Sequence, residues 1–270
     1  AVWINGGSGN NLNITGNITT SGFMGYGYNF QNTTGNTLNM RGDISTAGSS
    51  AIGLDFILGA SNNTAVMTGN ITTSGINSHA VRNIAANSNT ITITGNLSTS
   101  GDGSSAYAIF QGDSNTTIIN GNLSTESVAA RPISIIEGDS NITTINGNIT
   151  ATGNAQGVWL LNSNNNTTTV TGNIITSDTG GNAEVILLEG SDSNTFILSG
   201  AVHSLGGDQA ISVDANSQNN TFTFKRGVSF IGGLENNGGT TNKLIFDMGK
   251  ASSYNLDFDD TSWTMEDASK

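Results

Sequence analysis

Carboxylates recur at one repeated position of this 270-residue chain. Asp113 and Asp139 lie 26 residues apart, and Asp192 takes the same position further along, each two residues before a recurring asparagine. Stacked carboxylates about 5 Å apart repel one another, and Ca²⁺, which prefers oxygen ligands, could relieve that repulsion. Because Asn164 and Asn87 replace the carboxylate in other repeats, we interpret this row as a solvated acidic ridge. No cofactor or metal is predicted, with Ca²⁺ as the alternative.

Threonines form a second set of side chains that could bind a ligand. They alternate with other residues in several repeats, most regularly at Thr90 and Thr92 and again at Thr167 and Thr169. A flat Thr-x-Thr array resembles the ice-binding face of some β-solenoids. Outward β-branched residues are also what strand propensity favours. Strand propensity alone could thus explain these four threonines, and we name them as candidates for a binding surface because of their regular spacing.

Residues that could catalyse a reaction are scattered along the chain. Cleavage of a polysaccharide needs paired carboxylates, or a carboxylate with a basic residue, in one cleft. The histidines lie about five repeats apart, and neither the remaining acids nor the arginines share one repeat position. The residues concerned are Asp55, Asp208, Asp214, Glu235, His79, His203, Arg41, Arg82, Arg131 and Arg226. No catalytic residue is predicted.

Aromatic side chains are few, and some could contact sugars. Tyr26, Tyr28 and Phe30 follow one another closely near the N-terminus. Trp159, midway along the chain, could also contact sugars, but it lies within the apolar third strand of its repeat, so we expect its indole to pack in the core.

The composition excludes several partners. The net charge is −12 with only eight lysines and arginines, so no nucleic-acid partner is predicted, because the phosphate backbone would be repelled. The chain has no cysteine, so disulfides and thiolate metal sites are excluded. It has no run of about 18 apolar residues, so no membrane-spanning helix is predicted.

One asparagine recurs along almost the whole chain, at spacings of 22 to 28 residues. Its positions are Asn10, Asn36, Asn63, Asn89, Asn115, Asn141, Asn166, Asn194, Asn220 and Asn242. A fixed period in this range is typical of stacked repeats. We predict that these asparagines form a structural ladder, in which each tolerates left-handed backbone at a turn and its amide bonds to the next coil.

The pattern within one repeat predicts β-strands. In residues 89–99 the alternation places Ile91 and Ile93 on one face of a strand, and Thr90, Thr92 and Thr94 on the other. A second strand follows a recurring glycine, and a third is more apolar. These features predict an all-β fold, a single-stranded parallel β-helix of about ten coils of about 26 residues. The preference for right-handed crossovers predicts a right-handed helix. We expect regular coils over residues 1–226 and irregular coils, leading toward a missing cap, over 227–270.

The C-terminal segment carries a resemblance to a known family. Ser262-Trp263-Thr264-Met265, followed by Ser269, resembles a Trp-Thr-Met/Leu…Ser segment found late in passenger domains of Gram-negative autotransporters (type V secretion). Those passengers are also β-helices with Asn/Gly/Thr-rich coils, acidic charge and few cysteines. The resemblance implies a cell-surface or secreted segment. It also implies that most of the cap and an outer-membrane β-barrel, the expected membrane attachment, lie outside this sequence.

A long polar surface without a catalytic cluster favours an adhesin or a self-association segment involved in aggregation or biofilm formation. Weak contacts of Asn, Thr and Asp rows would add along the rod. The expected partners are the same chain on neighbouring cells, or a host-surface protein or glycan. Charge changes at Asp113 and Asp139 should then alter clumping. A rigid spacer and a glycan-acting enzyme are the alternatives.

Overall fold

The computed structural model describes residues 1–177, 181, 183–249 and 262–268. This part of the chain is all-β and contains three parallel sheets, stacked as a β-solenoid of about nine turns of roughly 26 residues. The predicted fold class is confirmed. The right-handed sense stays a prediction.

Each turn contributes one strand to each sheet. Sheet A consists of Val2–Asn5, Tyr28–Gln31, Leu54–Ile57, Val81–Ile84, Tyr107–Phe110, Ile133–Ile136, Val158–Leu161, Ile186–Glu189, Ile211–Val213 and Leu234–Asn236. Sheet B consists of Asn11–Thr15, Thr37–Arg41, Thr64–Thr68, Thr90–Thr94, Thr116–Asn120, Ile142–Ile145, Thr167–Val170, Thr195–Leu198, Thr221–Lys225, Lys243–Asp247 and Thr264–Asp267. Sheet C consists of Ile18–Thr20, Ile44–Thr46, Ile71–Thr73, Leu97–Thr99, Leu123–Thr125, Ile149–Ala151, Ile174–Thr176, Ala201–Ser204 and Ser229–Ile231.

The core is the column between the three sheets, filled by one face of every strand. In Thr90–Thr94, Ile91 and Ile93 are fully buried, whereas Thr90 and Thr94 are exposed. Strands pair in register one turn apart, so like side chains stack; Phe30 and Phe56 lie with ring centroids 4.8 Å apart. Stacking of identical apolar positions along the axis therefore builds a continuous core from short strands.

The asparagine ladder is a buried chain of hydrogen bonds. The backbone N–H and side-chain amide of Asn89 both donate to Oδ1 of Asn115, at 2.9 and 3.3 Å, and the same pattern links Asn115 to Asn141. It runs from Asn10 to Asn242, through Asn36, Asn63, Asn89, Asn115, Asn141, Asn166, Asn194 and Asn220. These bonds satisfy turn groups that would otherwise be buried without partners.

One detail of the ladder prediction is wrong. The left-handed backbone falls on the residue before each ladder asparagine from Asn10 to Asn220, as at Ser88, Ser114 and Ser140, where φ is 57° to 59°. No ladder asparagine has a positive φ. The preceding residue makes the turn, which leaves the asparagine free to point inward and bond along the stack.

The recurring glycine is required by close backbone stacking. A Cβ added to Gly121 would lie 2.1 Å from the carbonyl oxygen of Gly95, one turn away. Contacts this short do not occur in proteins, so the turn between sheets B and C admits only glycine unless the coils move apart.

The last described segment continues the stack. Thr264–Asp267 pairs in parallel with Lys243–Asp247 as the outermost strand of sheet B. The indole N–H of Trp263 donates to the carbonyl of Leu234 at 3.1 Å, and its ring lies edge-on to Phe222. Trp263 of the quoted motif thus packs against the end of the core, whereas Ser269 lies outside the described residues.

Candidate binding groove

A groove of about 420 Å³ runs over the outer face of sheet A. We call it the sheet A groove. It is lined by Ser50, Asn77, His79, Arg82, Ile84, Gly103, Ser105, Phe110, Ala129, Arg131, Ser134, Ile136 and Trp159.

Strand alternation and small residues shape this groove. In Val81–Ile84, Val81 and Asn83 point into the core, so Arg82 and Ile84 point out. The same alternation turns Ser134 and Ile136 outward one strand beyond Phe110. Side chains at Ser105 and Ser134 are short, and their hydroxyls bond to each other at 3.1 Å. The result is a depression bounded by Arg82 at one end and Trp159 at the other.

A buried ion pair fixes the Arg82 end. The Nε and Nη2 atoms of Arg82 donate to the two carboxylate oxygens of Asp55 at 2.8 and 2.9 Å. Asp55 is fully buried and also accepts from the amide of Asn29 at 2.9 Å. This bidentate geometry holds the guanidinium in one plane and neutralises its charge locally.

His79 forms part of the wall as a neutral hydrogen-bond donor. Its Nδ1 accepts the backbone N–H of Ser105 at 2.9 Å, which places the proton of the neutral ring on Nε2. Burial, helped by the nearby charge of Arg82, lowers the pKa of His79 to about 3. His79 therefore keeps an uncharged Nε2–H over the whole physiological range of pH.

Arg131 and Trp159 form the other end. The guanidinium of Arg131 lies 4.0 Å from the centroid of the Trp159 ring, a cation–π contact. The Nε of Arg131 donates to Oε1 of Gln156 at 2.6 Å, and the indole N–H of Trp159 donates to Oε2 of Glu189 at 2.6 Å. Burial lowers the pKa of Arg131, and the charges of Glu189 and Glu184 oppose that shift. In the described residues no carboxylate oxygen lies within 4 Å of an Arg131 nitrogen.

Three expectations about aromatic residues are wrong. Trp159 is half-buried on the outside, because Val158 and Leu160 take the inward positions of its strand. Tyr28 and Phe30, expected as exposed sugar contacts, are fully buried on the inner face of sheet A. The exposed large apolar side chains near the N-terminus are instead Trp3, Phe23 and Met24.

The acidic row lies in the turn between sheets A and B, away from the sheet A groove. Oδ1 of Asp113 accepts the backbone N–H of Asp139 at 2.8 Å, and Oδ1 of Asp139 accepts that of Asn164 at 2.6 Å. Asp192 likewise accepts the N–H of Gln218 at 2.6 Å. These carboxylates thus form a second, outer ladder. The described residues contain no group of three or more acidic, histidine or cysteine side chains placed to hold a metal ion.

The candidate threonines lie on the outer face of sheet B. Thr90 is exposed, whereas Thr92, Thr167 and Thr169 are half-buried between neighbouring strands. None of them lines the sheet A groove.

The sheet A groove was missed because its residues do not share a repeat position. Arg82 is on a strand, whereas Arg131 lies in the loop two residues before Ile133–Ile136. A comparison of equivalent positions in successive repeats therefore does not group Arg82 with Arg131, although the winding of the chain brings both to the outer face of sheet A. The signal available was a mixed set of Arg, His and Trp in repeats otherwise rich in Asn, Thr and Ser.

No protein-family model matches this sequence, and comparisons with curated proteins and with solved structures likewise gave no match. In the described part of the chain, no helix is long and apolar enough to cross a membrane.

Proposed function

We propose that this chain is the non-enzymatic binding rod of a cell-surface adhesin, carried on or secreted by a Gram-negative bacterium. Its partner on the opposing surface would bind in the sheet A groove. The observation that carries this proposal is the collection of His79, Arg82, Arg131 and Trp159 in one groove of a solenoid otherwise built from Asn, Thr and Ser.

The lining favours binding over catalysis. Its described residues include no carboxylate, whereas glycoside cleavage requires a pair of them. His79 is also unsuited to act as a general base, because its Nδ1 already accepts a backbone N–H. Arg131 and Trp159 instead resemble the residues that dominate binding interfaces.

A passive spacer would not need these groups. The core and the ladders suffice to hold a solenoid together, and a buried ion pair is weak support for stability because its desolvation offsets its attraction. The pair of Asp55 and Arg82 therefore points to a role in fixing the Arg82 side chain at one end of the sheet A groove.

Attachment of protein-coated beads to host-cell monolayers tests the proposal. Beads coated with an Arg131→Ala/Trp159→Ala variant should lose most of their attachment. A Thr92→Val/Thr169→Val variant on sheet B should attach like the wild type. Circular dichroism melts of both variants check folding, and Arg131→Gln alone provides a milder change. Equal attachment of all folded variants, or no attachment by the wild type, would overturn the proposal.

Self-association is a second candidate function, favoured by a separate observation. Phe23, Ile76 and Val128 are 71%, 54% and 61% exposed and recur every second coil along one ridge. Ser49 and Asp102 occupy this position in the intervening coils. Large apolar side chains that are exposed together on one surface can mark a contact with another molecule. Sedimentation of the wild type and of an Ile76→Ser/Val128→Ser variant tests it, and a wild type that stays monomeric at high concentration excludes it. Clumping of cells that changes with Asp113→Lys and Asp139→Lys would instead implicate the acidic ladder.

A further inference from the structure

We infer that the sheet A groove binds a neutral oligosaccharide, through uncharged and internally neutralised hydrogen-bonding groups beside an apolar floor. This inference rests on the proposed function and names the ligand class for the same groove.

The lining is amphipathic in a way that suits a sugar ring. Ile84, Phe110 and Ile136 form a half-buried apolar row along the outer face of sheet A. Polar groups of His79 and Ser105 stand on one side of that row. A pyranose presents C–H groups on its faces and hydroxyls around its edge, so one face can cover the row while the edge meets the polar wall. Binding sites commonly combine a largely apolar surface with a few placed polar groups.

The charges indicate a neutral ligand. Arg82 is paired with Asp55, and Arg131, which forms no ion pair within the described residues, has the opposing charges of Glu184 and Glu189 in its surroundings. The groove and its surroundings therefore have no excess positive charge to attract an acidic sugar, and the chain as a whole carries a net charge of −12. What remains is a set of donors held in place: the Nε2–H of His79, the guanidinium of Arg131 and the serine hydroxyls.

A peptide strand fits this groove less well. Peptides that add to a sheet need an unpaired strand edge. Val81–Ile84, Tyr107–Phe110 and Ile133–Ile136 each pair with a strand on both sides, so their backbone groups are already used. The ligand must bind to side chains, as a saccharide does.

The distance along the axis indicates several sugar units. Arg82 and Trp159 are separated by three coil steps, or about 14 Å at the usual strand spacing. A ligand that spans both ends of the groove is therefore a short oligosaccharide and not a single sugar.

The experiment is a binding screen of the whole chain against neutral oligosaccharides and their sialylated or uronate-bearing counterparts. Calorimetry then follows the neutral compound that binds most tightly. Arg131→Ala and His79→Gln should each weaken binding about 10- to 100-fold, the cost of losing hydrogen bonds from a positioned donor. Thr92→Val should leave it unchanged.

The dependence of affinity on salt and pH tests whether the ligand is neutral. Affinity should change less than about twofold between low and physiological salt, because no net charge is neutralised on binding. It should also stay constant from about pH 5 to 8, since His79 remains neutral there.

Binding of acidic compounds alone, with affinity that falls as salt rises, would overturn the inference. So would the absence of binding to every compound in the screen. If the groove variants lose cell attachment while no oligosaccharide binds, the adhesin proposal stands and the assigned ligand class is wrong.

Discussion

Replacing Asn115 by leucine removes one member of the buried ladder while nearly preserving side-chain volume. The side chain is fully buried and makes four hydrogen bonds. Its Oδ1 accepts two from Asn89, and its Nδ2 donates to Asn141 and to the carbonyl of Ala86. At about 1 kcal/mol each, the bonds contribute about 4 kcal/mol.

Added apolar burial by leucine offsets part of that loss. The backbone N–H of Asn89 and the carbonyl of Ala86 are meanwhile left buried without this partner, which adds to the cost. We expect a net loss of about 3 kcal/mol or more in the free energy of unfolding, a large share of the 5–15 kcal/mol typical of domains.

The matched control is Asn122→Leu, close to Asn115 in sequence but exposed in the turn between sheets B and C, where its row bonds coil to coil at the surface. The Oδ1 of Asn122 accepts a single bond, from the N–H of Asn148 at 2.8 Å. Its replacement should cost less than about 1 kcal/mol, because water replaces the lost partner. Urea unfolding followed by circular dichroism compares the two variants.

Amide hydrogen exchange adds a local readout of the same change. The N–H of Asn89 should exchange faster in the Asn115→Leu protein, since its acceptor is gone. If Asn115→Leu is no more destabilising than Asn122→Leu and leaves the exchange of Asn89 unchanged, the ladder is not a source of stability and the reasoning fails.

Three further predictions concern stability. Gly121→Ala should destabilise by about 2–3 kcal/mol or more in urea unfolding, because the new Cβ meets backbone of the next coil, whereas Gly22→Ala, which meets nothing within 4 Å, should be tolerated. Asp55→Ala should lower the free energy of unfolding by about 3–5 kcal/mol, because it leaves the largely buried Arg82 without its partner. An Asp55→Leu/Arg82→Leu double variant should lose less than the single variant, and a larger loss in the double variant would contradict this. Because the pKa of His79 is lowered, the unfolded chain takes up a proton at this residue below about pH 6.5, whereas the folded chain does so only near pH 3. The free energy of unfolding therefore has its full contribution from His79 above pH 6.5 and falls by about 1.4 kcal/mol per pH unit below it. His79→Gln should remove that slope between pH 6.5 and 5, and an unchanged slope would refute the assignment.

The fold could be predicted because its signals are periodic. The spacing from Asn36 to Asn220 reports the length of one coil, and alternation such as that of Ile91 and Ile93 reports the strand and its inner face. Both signals arise from stacking like residues, which every coil must satisfy. The residue before most ladder asparagines, such as Ser114, varies in type, so the sequence carried no comparable signal that this position adopts the left-handed backbone.

The sheet A groove could not be predicted in the same way, because it departs from the repeat. His79 and Arg131 come from loops, and Trp159 comes from a strand three coils beyond Arg82. The row that did repeat, Asp113 and Asp139, turned out to bond to backbone. In this solenoid the repeated residues hold the coils together, and residues that depart from the repeat line the groove that we propose as the binding site.

A crystal structure of the chain with the bound oligosaccharide would show which surface holds the ligand. We expect density in the sheet A groove between Arg82 and Trp159, with a ring over Phe110 and oxygen atoms within hydrogen-bond distance of His79 and Arg131. Density on the threonine face of sheet B or along the row of Asp113 and Asp139, with the groove unoccupied, would contradict it.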